Sequence, residues 1–128
     1  MRTRRLPAAQ RLRLQADFER VRQQGLRAVC GYFVLNARRD PDAASAGRAV
    51  RFAVVTAKRL LGDAVWRNRM RRVFKEIFRL HPGVWDVGWD VVVVPRRQSL
   101  SGDFASLEKQ YLDTSARLLK TKPHTAGP

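Results

Sequence analysis

The chain has 128 residues, which suits one domain with a modest core. It carries 26 Lys and Arg against 11 Asp and Glu, a net charge of +15. It has no apolar run of about 18 residues to span a membrane, and its single cysteine, Cys30, excludes an internal disulfide and a multi-cysteine metal site.

The start, MRTRRLPAAQ, is Arg-rich with no apolar stretch behind it, unlike a secretory signal. It is short for a transit peptide, so the chain reads as cytosolic. Residues 1–10 and 121–128 are expected to be loose. From roughly 12 to 24, Leu14, Phe18 and Val21 repeat at helical spacing, and Gly25 is placed to end that helix. AVCGYFVLNA reads as strand, divided or bulged at Gly31. Its alternation sets Phe33, Leu35 and Ala37 on one face and Tyr32, Val34 and Asn36 on the other. Cys30 fits a buried small hydrophobe. DPDAASAG, 40–47, has loop composition. RAVRFAVVTA is a second strand region, with Lys58 and Arg59 directly after it.

Asp63 can cap a helix over roughly 64–80, ending before Pro82 and Gly83. Trp66, Met70, Val73, Ile77 and Leu80 form its expected core stripe. The four valines of WDVVVVP suggest a strand buried on both faces. Ser101 can cap a last amphipathic helix bearing Phe104, Leu107, Tyr111, Leu112 and Leu118. The three tryptophans fit core or rim packing. The order αβββαβα is an α+β pattern, a sheet of three or four strands backed by helices.

Charge is concentrated in two places. Residues 1–27 hold eight Arg and two acids, and 58–79 hold eight cations and two acids. Arg outnumbers Lys by 21 to five, which suits phosphate and base recognition, although a GC-rich genome also favours Arg codons. Such an excess opposes folding through self-repulsion and points to a polyanionic partner. On the helix over 64–80, Arg67, Asn68, Arg71, Arg72, Lys75 and Arg79 oppose the core stripe, with Arg69 and Glu76 beside it. A solvated charged face usually mixes signs. Here Arg67, Arg71 and Lys75 are like charges at i,i+4, an arrangement that phosphates would relieve. Asn68, a weak helix former, suits contact with RNA or a hydrated metal ion, or simply faces solvent. Phe18 is a core residue, a base-stacking platform at the mouth of a groove, or both. Tyr32 and Asn36 could line the same groove.

No catalytic set is visible. His81 and His124 stand apart, and Asp86 and Asp90 read as turn and strand-edge residues rather than metal ligands.

KRLLGDAVWRNRMRRVFKEIFR, Lys58 to Arg79, resembles the signature of the bacterial ribonuclease P protein component: a basic pair after a strand, a short turn, then Arg67-Asn68-Arg69, Met70, Arg71-Arg72 and Glu76. ADFERVRQQG and the strands RFAVVTAK and DVVVVPRR agree in order, so the likeness spans roughly 11–119. It implies a two-layer α+β sandwich with a mostly antiparallel four-stranded sheet and a left-handed βαβ crossover, a fold shared with a ribosomal-protein domain. It also implies a subunit of a ribonucleoprotein that cuts the 5′ leader from precursor tRNA with Mg²⁺. The active site and the ion would belong to the catalytic RNA, with no catalytic or metal residue in this chain, no membrane and no obligate protein partner. Lys58, Arg59, Arg67, Asn68, Arg69, Arg71, Arg72 and Lys75 would contact that RNA. Phe18, with Arg22, Tyr32 and Asn36, would line a leader groove. Arg22 stands where many members carry a second aromatic, and Asn36 where some carry one, which points to a weaker or more electrostatic grip. The rivals are a non-catalytic RNA-binding protein of ribosomal type and a protein-only nuclease, which would need an acidic cluster that the sequence lacks.

Overall fold

A computed structural model of the chain describes residues 6–121. Within them, a 3₁₀ turn (Ala8–Gln10) leads into α1 (Gln15–Gln24), β1 (Leu26–Val29), β2 (Phe33–Arg39), a short α2 (Pro41–Ser45) and β3 (Arg51–Val54). Then come a one-turn α3 (Lys58–Leu61), the long α4 (Ala64–Leu80), β4 (Trp89–Pro95), a second 3₁₀ turn (Arg97–Ser101) and α5 (Phe104–Lys120). The sheet order is β1-β2-β4-β3. β1–β2 and β2–β4 pair antiparallel, and β3–β4 pair parallel across the α4 crossover.

The alternation in β2 is realised: Phe33, Leu35 and Ala37 are fully buried against α4 and α5. Across that layer Phe52 stacks on Phe78 at 4.4 Å, and Phe33 meets Phe74 edge-on at 5.3 Å. Such pairs add about 0.5–1.5 kcal/mol beyond area burial. The four valines of β4 face two ways, as a doubly covered strand requires. Val91 and Val93 join the main core, while Val92 and Val94 meet Leu12, Val21 and Phe18 beneath α1.

Several expectations are corrected. Gly31 does divide the early strand, as part of a β1–β2 turn. Gly25 ends α1, but its backbone is extended (φ −90°). A Cβ there would lie 2.4 Å from the Val21 carbonyl oxygen and 2.7 Å from that of Ala37, so close approach of two chains demands the glycine. The segment 40–47 is not all loop: the Asp40 carboxylate accepts from the Asp42 and Ala43 amides and caps α2. Asp103, not Ser101, caps α5 by accepting from the Ser106 amide at 2.8 Å. Residues 6–10 are held, with Leu6 buried and the 3₁₀ turn formed. Cys30 is only half-buried. The rest of the two ends expected to be loose, 1–5 and 122–128, lies outside the described residues.

The stripe on α1 is Asp17 and Val21, with Leu14 exposed. On α4 the buried stripe is Met70, Phe74, Ile77 and Phe78, while Trp66 and Leu80 are exposed. In both helices the periodicity was legible but the centre of the face was displaced by part of a turn.

Candidate nucleic-acid interface

Two surfaces combine the predicted residues. The first is the outer side of α4. Arg69 and Arg72 are exposed, and Arg67, Arg71 and Lys75 form a half-exposed shoulder one turn apart. Asn68 Oδ1 accepts a hydrogen bond from Arg71 Nη1, so this mid-helix asparagine orients a guanidinium within the basic face. Asn68, Arg71, Arg72, Lys75 and Val65 line a shallow depression of about 510 Å³. Arg67 Nε is shielded from solvent and has no acceptor among the described residues. Glu76, the one acid of the helix, is engaged by Arg79 at 2.9 Å, and that hydrogen bond holds its carboxyl below the usual range. Lys58 and Arg59 sit exposed on α3, which packs against α4.

The second surface is a groove of about 340 Å³ between α1 and the opposite face of the sheet. Its lining is Gln15, Phe18, Glu19, Val21 and Arg22 from α1, with Asn36, Val92 and Val94 from the strands and Val55 beyond β3. Phe18 packs beside Val21 and Val92 and also lines the groove. Tyr32 does not join it. Its ring packs on the main core, and a Cβ built at Gly102 would lie 3.0 Å from it. The strand alternation misplaced Tyr32 because it lies in the turn before β2, where alternation no longer applies.

The groove wall is fixed by a charge network that sequence reasoning missed. Arg51 makes a bidentate pair with the buried Asp90, both contacts 2.8 Å, and reaches the buried Asp17 at 3.1 Å. Arg48 is a second partner of Asp90, at 2.8 Å, and Arg20 a second partner of Asp17, at 2.7 Å. The hydrogen bond to Asp90 above all holds the Arg51 guanidinium more firmly protonated than usual. The network ties α1 to β3 and β4 immediately beside Phe18. Asp90 is thus an internal anchor, not a strand-edge residue. A buried-face carboxylate opposite a strand Arg is its sequence signal, legible only once the strand pairing is known.

Among the described residues no group of three or more His, Cys, Asp or Glu could hold a metal ion, and no helix is long and apolar enough to cross a membrane.

A mixed four-stranded sheet, a parallel crossover through an arginine-rich helix, and a groove on the far face of the sheet define a class of small basic sandwich proteins. The same build is found in known structures. The ribonuclease P protein from Thermotoga maritima aligns with a TM-score of 0.70 at 29% identity, covering 88% of this chain and 97% of that one. In sequence, the chain is 35% identical to the ribonuclease P protein component of Thermotoga maritima over 77% of its own length and 79% of the relative's. It is 37% identical to that of Coxiella burnetii over 73% and 72%. The family model for ribonuclease P matches residues 6–119, and the chain belongs to that family. It is a protein subunit of the ribonucleoprotein that removes 5′ leaders from tRNA precursors.

Proposed function

We propose that the two surfaces divide the work of the subunit, α4 binding the catalytic RNA and the α1–sheet groove receiving the single-stranded leader of precursor tRNA. The run of like charges Arg67, Arg71 and Lys75, spaced one turn apart on the outer side of α4, carries the first half of this reading. Repulsion among i,i+4 cations costs a few tenths of a kcal/mol per pair, and phosphates reverse its sign. Lys58 and Arg59 extend the same basic ground, with Arg69 and Arg72. The second half rests on Phe18 at the edge of a groove with apolar walls, one amide (Asn36) and a cation at its mouth (Arg22). That combination accepts a base against the ring and leaves its phosphate outside.

The α4 face offers no carboxylate cluster for Mg²⁺, since Glu76 is taken by Arg79. The ion is therefore assigned mainly to the RNA. The protein's cations lower the amount of it needed by screening RNA–RNA repulsion. The reading needs neither a membrane nor an obligate protein partner, and it places the subunit in the cytoplasm.

The test is cleavage of precursor tRNA at low Mg²⁺ by protein alone, bacterial ribonuclease P RNA alone, both, and neither. Activity only in the mixture, giving a mature 5′ end, is expected. Phe18→Ala should weaken binding of precursor tRNA by about tenfold while leaving mature tRNA and assembly with the catalytic RNA unaffected. Equal loss for precursor and mature tRNA would remove the groove from leader binding.

A further inference from the structure

Trp66 is absent from the core that its periodicity suggested and from the groove. It is the third residue of α4, 42% exposed, beside Val65, which is 71% exposed. Further along the helix Met70 and Phe74 are buried and Val73 is partly buried. An indole left in water forgoes the burial that such a ring obtains inside. Its neighbours are cations: Arg69 lies over the ring, Cζ 6.0 Å from the centroid, and Arg67 follows directly. The cation–π contact restricts the indole while leaving much of its surface open.

We propose that Trp66 and Arg69 form a stacking platform for an unpaired nucleobase of the catalytic RNA, an inference that rests on α4 being the RNA face. The ligand class follows from the two chemistries side by side. A flat π surface accepts any base, and the adjoining guanidinium accepts its phosphate or polar edge. A base inside a duplex has no free face, so the platform selects a bulged, looped or terminal nucleotide. It adds affinity that does not depend on charge to a helix that otherwise binds through charge.

The test uses bacterial ribonuclease P RNA with the full chain as wild type, Trp66→Phe, Trp66→Leu and the double variant Arg67→Ala/Arg71→Ala. Thermal melts confirm folding, which the exposure of Trp66 protects. Trp66→Leu keeps apolar bulk without a π face and should bind about tenfold more weakly. Trp66→Phe should retain most of the affinity. The slope of log affinity against log salt should be unchanged in both, because a neutral stack releases no counterions. Indole fluorescence should be quenched on binding in the wild type and not in Trp66→Phe, which keeps Trp85 and Trp89. Wild-type affinity in Trp66→Leu, equal losses in the Phe and Leu variants, or quenching that survives in Trp66→Phe would overturn the platform. The double variant separates the two readings. If it binds weakly with a flattened salt slope while Trp66→Leu binds normally, only the platform falls. If it binds like the wild type, the RNA face itself has been misassigned.

Discussion

Arg22 illustrates how a single residue can be present and yet restrained. Its Nη2 donates to Glu19 at 2.7 Å, and Gln23 donates to the same carboxylate oxygen at 3.3 Å. Glu19 also lines the groove. The cation at the mouth is therefore neutralised in the free protein, and an incoming phosphate must compete with a carboxylate. An exposed pair of this kind is worth about 0.2–1 kcal/mol, small enough for RNA to break. Glu19→Gln keeps a side chain of the same size, frees Arg22 and removes the repelling charge. Binding of precursor tRNA should tighten by about two- to fivefold at low salt, with a steeper salt dependence, and mature tRNA should be unaffected. Filter binding with both tRNAs over a salt series checks this; unchanged precursor binding would leave Arg22 without a part in leader recognition.

At the level of elements, α1 is held by charge as well as by apolar contact. Arg51→Met would leave Asp90 with Arg48 alone and Asp17 with Arg20 alone, both carboxylates still buried. Leaving a buried charge wholly unpaired costs about 3–5 kcal/mol; since each carboxylate keeps one cation, the loss should be smaller but still visible in urea unfolding, and unchanged stability would discount the network. With its wall loosened, the groove should also lose affinity for precursor tRNA. The start of α5 depends on protonation instead. Hydrogen bonds from the Ser106 hydroxyl and then its amide hold the Asp103 carboxyl below its ordinary value. The stabilisation is therefore complete above the unfolded value of about 3.9 and is lost as pH falls through the lower folded value. Asp103→Ala should melt below the wild type at pH 6, and the gap should narrow as both are acidified to about pH 3; a constant gap would mean that the cap is not the carboxylate. These elements were unequally readable. Strand positions such as Leu35 and Val93 were plain, because period two leaves only two faces. The helices were read with a displaced stripe, since on a wheel Trp66 and Phe74 border the same buried arc and only the sheet beneath decides between them. Asp17 and Asp90 were hidden because the contacts that join them, through Arg48 and Arg51, come from residues 34 to 42 positions away.

For the whole molecule, a net charge of +15 has to be reconciled with a compact state. The sheet helps by keeping charge at its margins: Arg51 and Arg48 are paired with acids inside, while the α4 cations and Arg22 lie outside. The basic motif and the groove lie on different sides of the sheet, which is the separation that the proposed division between two RNAs requires. The motif was visible as a run of adjacent residues. The groove was less so, because Phe18, Asn36 and Val92 converge only through sheet pairing.

The sheet edges have a further consequence. β1 and β3 are the two outer strands, each four residues long. The rim of β3 is partly covered, since Arg11 bridges to Phe52 and the Leu12 amide donates to the Phe52 carbonyl at 3.3 Å. On β1 the exposed Arg27 stands at the other rim. Short, covered or charged edges give a neighbouring copy little to extend. The segment around Arg11 and Leu12 thus covers backbone groups that a bare rim would offer to a second chain, and removing that cover should raise the tendency to self-associate.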